Sequence, residues 1–361
     1  MHDMPHASGE LLLSRDAHFL DSESDSLRRA AASGRLTRLR RGVYTDSASW
    51  SAASPRDRYV RRIHAVVATR EVPCVVARQS AAALWSFPRI NRWPEDVHLI
   101  PVPPGGLRSR NGVRHHAEAM PDTDVAELLG LRVTSRLRTL VDLARFDSIA
   151  EAVAALDHSL NPRTAHPHPV VTQDALLEQL VGIQSSRGAA RAARAIHFAD
   201  GGAGSPGESY SRLLIRQLGF APPQLQVEHP NPRGGSYFTD FEWPDARIIG
   251  EFDGRSKYLK PEYLGTRTPG EVVVEEKLRE DDLRAEGSQI RRWTWEHLRT
   301  PARLERLLSE AGVPRLSRRA AQAAVSSPNS SRVAPPRETV TSHRGRHADR
   351  SVSPAPVRLA E

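Results

Sequence analysis

A single cysteine in 361 residues leaves no partner for an internal disulfide and no thiolate set for a zinc cluster. That residue, Cys74, lies in the apolar run from Val72 to Ala77 and reads as a small buried side chain. No apolar run reaches the roughly 20 residues of a membrane-spanning helix. The polar start Met1-His2-Asp3-Met4-Pro5-His6 has no secretory signal core, so the cytoplasm is the expected compartment and no membrane partner is expected. The chain also has no Gly-x-x-x-x-Gly-Lys loop, no Gly-x-Ser-x-Gly elbow and no Cys-x-x-Cys pair. These absences remove the P-loop, serine-elbow and thiol-redox chemistries. The formal net charge is +8, but nine arginines against three acids from Arg315 onward account for most of it. The rest holds 42 basic and 40 acidic residues, so global charge says little about a partner.

What is present is concentrated in the C-terminal third. The stretch Ser236-Tyr-Phe-Thr-Asp240-Phe-Glu-Trp243-Pro-Asp-Ala-Arg-Ile248-Ile-Gly-Glu251-Phe-Asp253 reads as two strands around the turn signal Trp243-Pro244-Asp245-Ala246. A turn centred between Asp245 and Ala246 sets Asp240 opposite Glu251, about 5 Å away on the same face. Asp253 shares that face because strand side chains alternate. Phe241, Trp243, Ile248 and Phe252 then form the apolar face. Three acids on one patch repel one another unless a cation sits among them, and Mg²⁺ (or Mn²⁺) suits carboxylates plus phosphate oxygens. A solvated charged face is the competing reading.

The flanking order is helix, three strands, helix, strand. Ser205-Pro206-Gly207-Glu208 opens a capped helix running to Leu218 and closed by Gly219. Gln224 to Glu228 is a strand, Val272 to Glu286 a helix ended by Gly287, and Gln289 to Trp295 a final strand. This is an α/β unit with a mixed sheet flanked by helices. On Glu208, Asp240-Phe241, Glu251-Phe252-Asp253-Gly254, Lys257-Tyr258, Glu276-Lys277, Arg279-Glu280-Asp281, Arg284 and Arg292-Trp293-Thr294-Trp295, the segment from about Ser205 to Leu308 resembles the very-short-patch-repair type of the PD-(D/E)XK nuclease superfamily. The resemblance implies a restriction-endonuclease-like fold, with Mg²⁺ on Asp240, Glu251 and Asp253 and help from Glu208. One departure matters: Asp253 stands where the superfamily pattern has its lysine. Lys277, which shares a helical face with Asp281 and Arg284, and Lys257 are the candidate replacements, with Arg284 a candidate contact to the DNA backbone.

Basic residues also cluster near the start. Asp25 to Ser33 reads as a short helix stopped by Gly34, and Leu36 to Arg41 with Gly42-Val43-Tyr44 as a small hairpin. Arg28, Arg29, Arg35, Arg38, Arg40 and Arg41 fall in this span with no acid after Asp25. A helix followed by a basic hairpin is how winged helix-turn-helix domains meet DNA. The stretch Leu27 to Tyr44 is similar to the N-terminal domain of AbiEi-family antitoxins of type IV toxin–antitoxin systems. Gln79 to Trp85 and Val133 to Ala144 resemble the second domain of those regulators. The resemblance implies DNA binding, an operon operator as target and a toxin partner.

Helices are expected over Arg56–Arg70, from Ser80 as a cap to Ser86, and over Arg138–Arg145 and Ile149–Leu160, with strands over Cys74–Ala77, Val97–Val102 and Arg114–Glu118. His115 and His116, adjacent on a strand, face opposite ways and cannot easily share one metal ion. The expected organisation is therefore multi-domain α/β. It comprises a disordered start (1–9), a winged helix-turn-helix (10–50), a middle α+β domain (56–160), a linker with helices (161–204), the nuclease-like unit (205–313) and a disordered basic tail (314–361). Two functions follow: a Mg²⁺-dependent DNA endonuclease guided by its own reader, or a non-cutting transcriptional regulator or antitoxin.

Overall fold

Apolar periodicity and glycine punctuation explain most of the elements. The computed structural model describes residues 11–15, 21–164, 168–254 and 269–316, which form a mixed α/β structure with three sheets. Near the start, β1 (Leu12–Leu13), α1 (Asp21–Ala32), β2 (Leu36–Arg40) and β3 (Val43–Asp46) make a three-stranded sheet in the order β1-β3-β2. Gly34 (φ +79°) ends α1 and Gly42 (φ +76°) turns the hairpin, conformations that cost glycine least. Leu12 and Leu13 pair with Tyr44 and Val43 as a strand, and residues 16–20 lie outside the described residues.

A second sheet has the order β6-β5-β4-β8-β7. It is built from α2 (Ser47–Ala52), α3 (Pro55–Ala68), β4 (Cys74–Val76), α4 (Arg78–Leu84), β5 (Val97–Pro101), β6 (Val113–His115), β7 (Val125–Leu128), β8 (Leu131–Thr134), α5 (Arg136–Phe146) and α6 (Ile149–Leu160). Tyr59, Ile63 and Val66 of α3 are buried on one side, as the spacing required. Ser80 is not a cap. It sits buried inside α4, where its hydroxyl meets Tyr59 Oη at 2.6 Å and accepts from His98 N at 2.8 Å. The β7–β8 hairpin had no counterpart in the sequence reading. Its turn, Leu129-Gly130, holds both residues at positive φ, and the leucine hides the usual Asn-Gly signature. Helices α7 (Gln173–Gly182) and α8 (Ala189–Phe198) pack on α5 and α6 around Leu140, Leu156, Leu176 and Ile196.

The third sheet and the helices around it run α9 (Pro206–Gln217), β9 (Gln224–Pro230), β10 (Ser236–Trp243), β11 (Ile248–Asp253), α10 (Pro269–Ala285), β12 (Gln289–Thr294), α11 (Trp295–Arg299) and α12 (Pro301–Ala311). Its order is β12-β11-β10-β9, with β11 and β12 parallel and the other pairs antiparallel. One face buries Phe241, Trp243, Ile248, Phe252 and Trp293 against Leu214, Ile215, Leu304 and Leu308, while the other buries Ile249 and Ile290 against Leu283. All described residues belong to one compact unit. A buried Arg212–Asp157 pair at 2.8 Å ties α9 to α6, and Arg138 meets Asp124, Asp142 and Glu118 at 2.7–3.0 Å. Arg315 and Leu316, expected in the tail, are held instead. Arg315 pairs with Glu305 at 2.8 Å and Leu316 N donates to Gly219 O; residues 317–361 and 1–9 lie outside the described residues. Among the described residues no helix is long and apolar enough to cross a membrane.

The approach of α9 to β11 depends on Gly207, where an added Cβ would lie 2.0 Å from Phe252 Cε1. Gly207→Ala is expected to lower unfolding free energy by about 1–3 kcal/mol through overpacking. Denaturant titration checks this, and an unchanged midpoint would show that the contact yields freely.

Candidate active site

The register of the β10–β11 hairpin follows from its turn. Pro244–Ala246 forms one tight helical turn closed by Arg247 at φ +53°, and the ladder pairs Phe241 with Gly250, Glu242 with Ile249 and Trp243 with Ile248. Continued by one step, this register sets Asp240 opposite Glu251. There the Asp240 carboxylate takes over from the ladder, its Oδ2 accepting from Phe252 N at 2.9 Å. Since Phe241, Trp243, Ile248 and Phe252 share the core face, alternation puts Asp240, Glu251 and Asp253 on the other, together with a fourth acid, Glu242.

The charge that answers these acids comes from arginines. Glu251, 7 % exposed, has Arg279 Nη2 of α10 at 2.7 Å from Oε1 and Arg292 Nε of β12 at 3.2 Å from Oε2. Arg292 is also Glu251's neighbour in the parallel β11–β12 ladder. Two further acids close the cluster: Glu276 meets Arg292 at 2.5 Å and Arg279 at 3.3 Å, and Glu280 meets Arg292 at 3.1 Å. Burial would lower the Arg279 pKa, but Glu251, Glu276 and Asp240 outweigh it and raise it, so this guanidinium stays charged. With a guanidinium within 3.2 Å of each oxygen, the Glu251 charge is already answered from within the protein.

Glu208, 4 % exposed, folds back over the start of α9, its Oε2 accepting from Gly204 N at 2.7 Å while its own N–H donates to the Ser205 cap at 3.2 Å. Asp253 pairs in register with Thr294 at the end of β11. Among the described residues no group of three or more His, Cys, Asp or Glu side chains is placed to hold a metal ion. Of the four acids expected to grip one Mg²⁺, Asp240 and Glu208 accept from backbone N–H groups and Glu251 meets two arginines. Lys277 is exposed, about 200° round the helix from Arg279, so the basic residue that α10 delivers to Glu251 is Arg279 and not Lys277. Arg284 is exposed and pairs with Glu280 at 2.5 Å. Lys257 lies outside the described residues. The signal for Arg279 was in the sequence: Glu276, Arg279 and Glu280 recur at helical spacing with Leu283, a buried apolar residue of that face.

Glu242 has its own partner. His229 Nε2 lies 2.7 Å from its Oε2 and His229 Nδ1 lies 3.0 Å from Glu286 Oε2. Burial acts to lower the His229 pKa, but the two carboxylates prevail and raise it. In the second sheet His115 and His116 do point apart: His115 faces Arg70, with Nε2 2.7 Å from Nη2, whereas His116 Nε2 meets His98 Nδ1 at 3.0 Å. Burial, then neighbouring arginines, push His98 to about 4 and His116 to about 3, leaving both neutral at pH 7.

At the first sheet Arg28, Arg29, Arg35, Arg38 and Arg41 are exposed on and beside α1 and the β2–β3 hairpin, with Arg40 half-buried. Arg28 pairs with Asp25, and Arg29 and Arg38 reach only backbone oxygens, at 3.4 and 3.3 Å. These guanidiniums keep most of their donors turned to solvent.

No protein-family model matches the chain. Two uncharacterised proteins of Mycobacterium tuberculosis, MT2308 of strain CDC 1551 and Rv2248 of strain H37Rv, are each 28% identical to it over 182 residues. The match covers 50% of this chain and 63% of each relative, so the chain spans less than two thirds of their length. The crystal structure of the RV2827C protein from M. tuberculosis overlaps 63% of this chain and 87% of its own, with 15% identity and a TM-score of 0.34. Likeness at that level carries no argument about fold or function.

Two outcomes test the electrostatics. Arg279→Met is expected to destabilise the protein by about 2–3 kcal/mol, because a nearly buried carboxylate loses one of its two cations; equilibrium unfolding measures it. His229 is expected to titrate above 6.5 by NMR and to fall in Glu242→Gln. With a folded pKa above the unfolded one, its contribution to stability is full below about pH 6.5 and is lost as pH rises through the folded value. A His229 titration at or below the free value would contradict the carboxylate pairing.

Proposed function

We propose that this chain is a DNA-binding regulator whose C-terminal α/β unit, although nuclease-like in layout, binds rather than cuts. The observation that carries the reading is the pairing of Glu251 with Arg279 and Arg292, which supplies from within the protein the positive charge a metal would bring. The DNA-binding part rests on the solvent-facing guanidiniums of Arg28, Arg29, Arg35, Arg38 and Arg41 around a helix and hairpin. In this reading residues 11–46 act as a winged helix-turn-helix, with α1 directed at a groove and the β2–β3 hairpin at the phosphates. The AbiEi-type resemblance extends the proposal to an operator in the chain's own operon and a toxin partner.

A cutting enzyme is the second reading, favoured by the hairpin register that sets Asp240 against Glu251 with Asp253 on the same face. Bound Mg²⁺ or Mn²⁺ would then supply an activated water. Asp240 and Asp253 would be its holders, Glu251 would join them only by giving up a guanidinium, and Lys257 or Lys277 would steady the phosphate.

A supercoiled-plasmid assay with Mg²⁺ or Mn²⁺ separates the two. The regulator reading expects duplex binding without nicking under either metal. Metal-dependent cleavage lost in both Asp240→Ala and Glu251→Ala would establish the enzyme instead. For the reader, Arg38→Gln and Arg41→Gln should each reduce the slope of log affinity against log salt by about 1, measured by fluorescence anisotropy. Slopes identical to wild type would remove the hairpin from the interface.

A further inference from the structure

Between the β2–β3 hairpin and the second sheet lies a cleft of about 280 Å³. Its floor is Ala65 and Val66 of α3 and Val97 of β5, and two arginines, Arg40 and Arg62, line it together with one acid, Glu95. Arg40 brings an unsatisfied donor to this lining. Its Nη1 is fully enclosed and finds no hydrogen-bond acceptor among the described residues. Burial, then the nearby Arg70, lowers its pKa, and no carboxylate raises it in return. Arg70 adds a second enclosed donor without an acceptor, its Nε, while its Nη2 is spent on His115. Arg62 is held from the other side, its guanidinium 5.6 Å from the Trp50 ring centre. An enclosed guanidinium N–H without an acceptor loses its hydration and gains nothing in return, a state that persists when a ligand completes it.

We infer that this cleft binds a small organic anion, a phosphate monoester or carboxylate on an apolar or aromatic body. The anionic oxygens bridge Arg40 and Arg62, and the body lies on Ala65, Val66 and Val97. Asn111, at the rim, offers an amide to polar substituents. A DNA phosphodiester fits less well. The apolar floor gives it nothing, and Glu95 repels a polyanion, whereas the exposed arginines of the hairpin present an open surface for it. The site is independent of the DNA-binding proposal. If both hold, it lies against the element that proposal assigns to DNA, so the anion would act as an effector.

The test is isothermal calorimetry on the full chain without DNA, using phenyl phosphate, benzoate and inorganic phosphate as probes. One-to-one saturable binding is expected for phenyl phosphate, at least about 10-fold tighter than inorganic phosphate because the ring reaches the floor. Arg40→Gln and Arg62→Gln should each weaken it by about 10-fold or more, as expected for loss of a charge-assisted hydrogen bond. Arg62 is exposed, so its substitution reports on the ligand even if Arg40→Gln disturbs the hairpin. Absence of saturable binding, equal affinity for phenyl and inorganic phosphate, or unchanged affinity in Arg62→Gln overturns the inference. A short duplex that displaces phenyl phosphate one for one also overturns it, by making the cleft a backbone-phosphate groove.

Discussion

Glu251 is the constraint around which the C-terminal unit is arranged. A carboxylate at 7 % exposure in the middle of a sheet is tolerable only with its charge answered. The chain answers it from two directions, with Arg292 beside it on β12 and Arg279 above it from α10. Glu276 and Glu280 then balance the arginines, so that one helix and two strands share a single charge network. The network places α10 over the acid face and leaves Leu283 to cover Ile249 and Ile290. Electrostatics and packing thus call for the same docking of the helix.

The rest of the molecule handles buried charge in the same way. Arg138 with Asp124, Asp142 and Glu118, and Arg212 with Asp157, are internal pairs that join helices distant in sequence. Other arginines are answered less fully. Those on α1 and the hairpin face solvent, with Arg28 paired to Asp25, and Arg40 keeps an enclosed donor without an acceptor. Arg70, Arg89 and Arg136 also have an enclosed Nε without an acceptor, but Arg40 lines the cleft, where an external anion can reach it.

Local rules determined much of this protein from sequence alone. The capped α9, the helices α3 and α6, the hairpin turn between Asp245 and Ala246, and the helix–strand order of the third sheet all follow from caps, glycines and apolar spacing. Each depends on residues within a few positions of one another. The β7–β8 hairpin escaped because Leu129 takes a turn conformation that its side chain does not advertise.

Only the tertiary structure decided what the acids do. Alternation could place Asp240, Glu251 and Asp253 on one face, but it could not say what that face would meet. The choice between a metal and an arginine depends on how α10, which follows β11 only at Pro269, rotates about its own axis. Leu283 sets that rotation by burying itself, which turns Arg279 inward and Lys277 out. Charge partners are contacts across space, and no spacing rule along a single strand contains them.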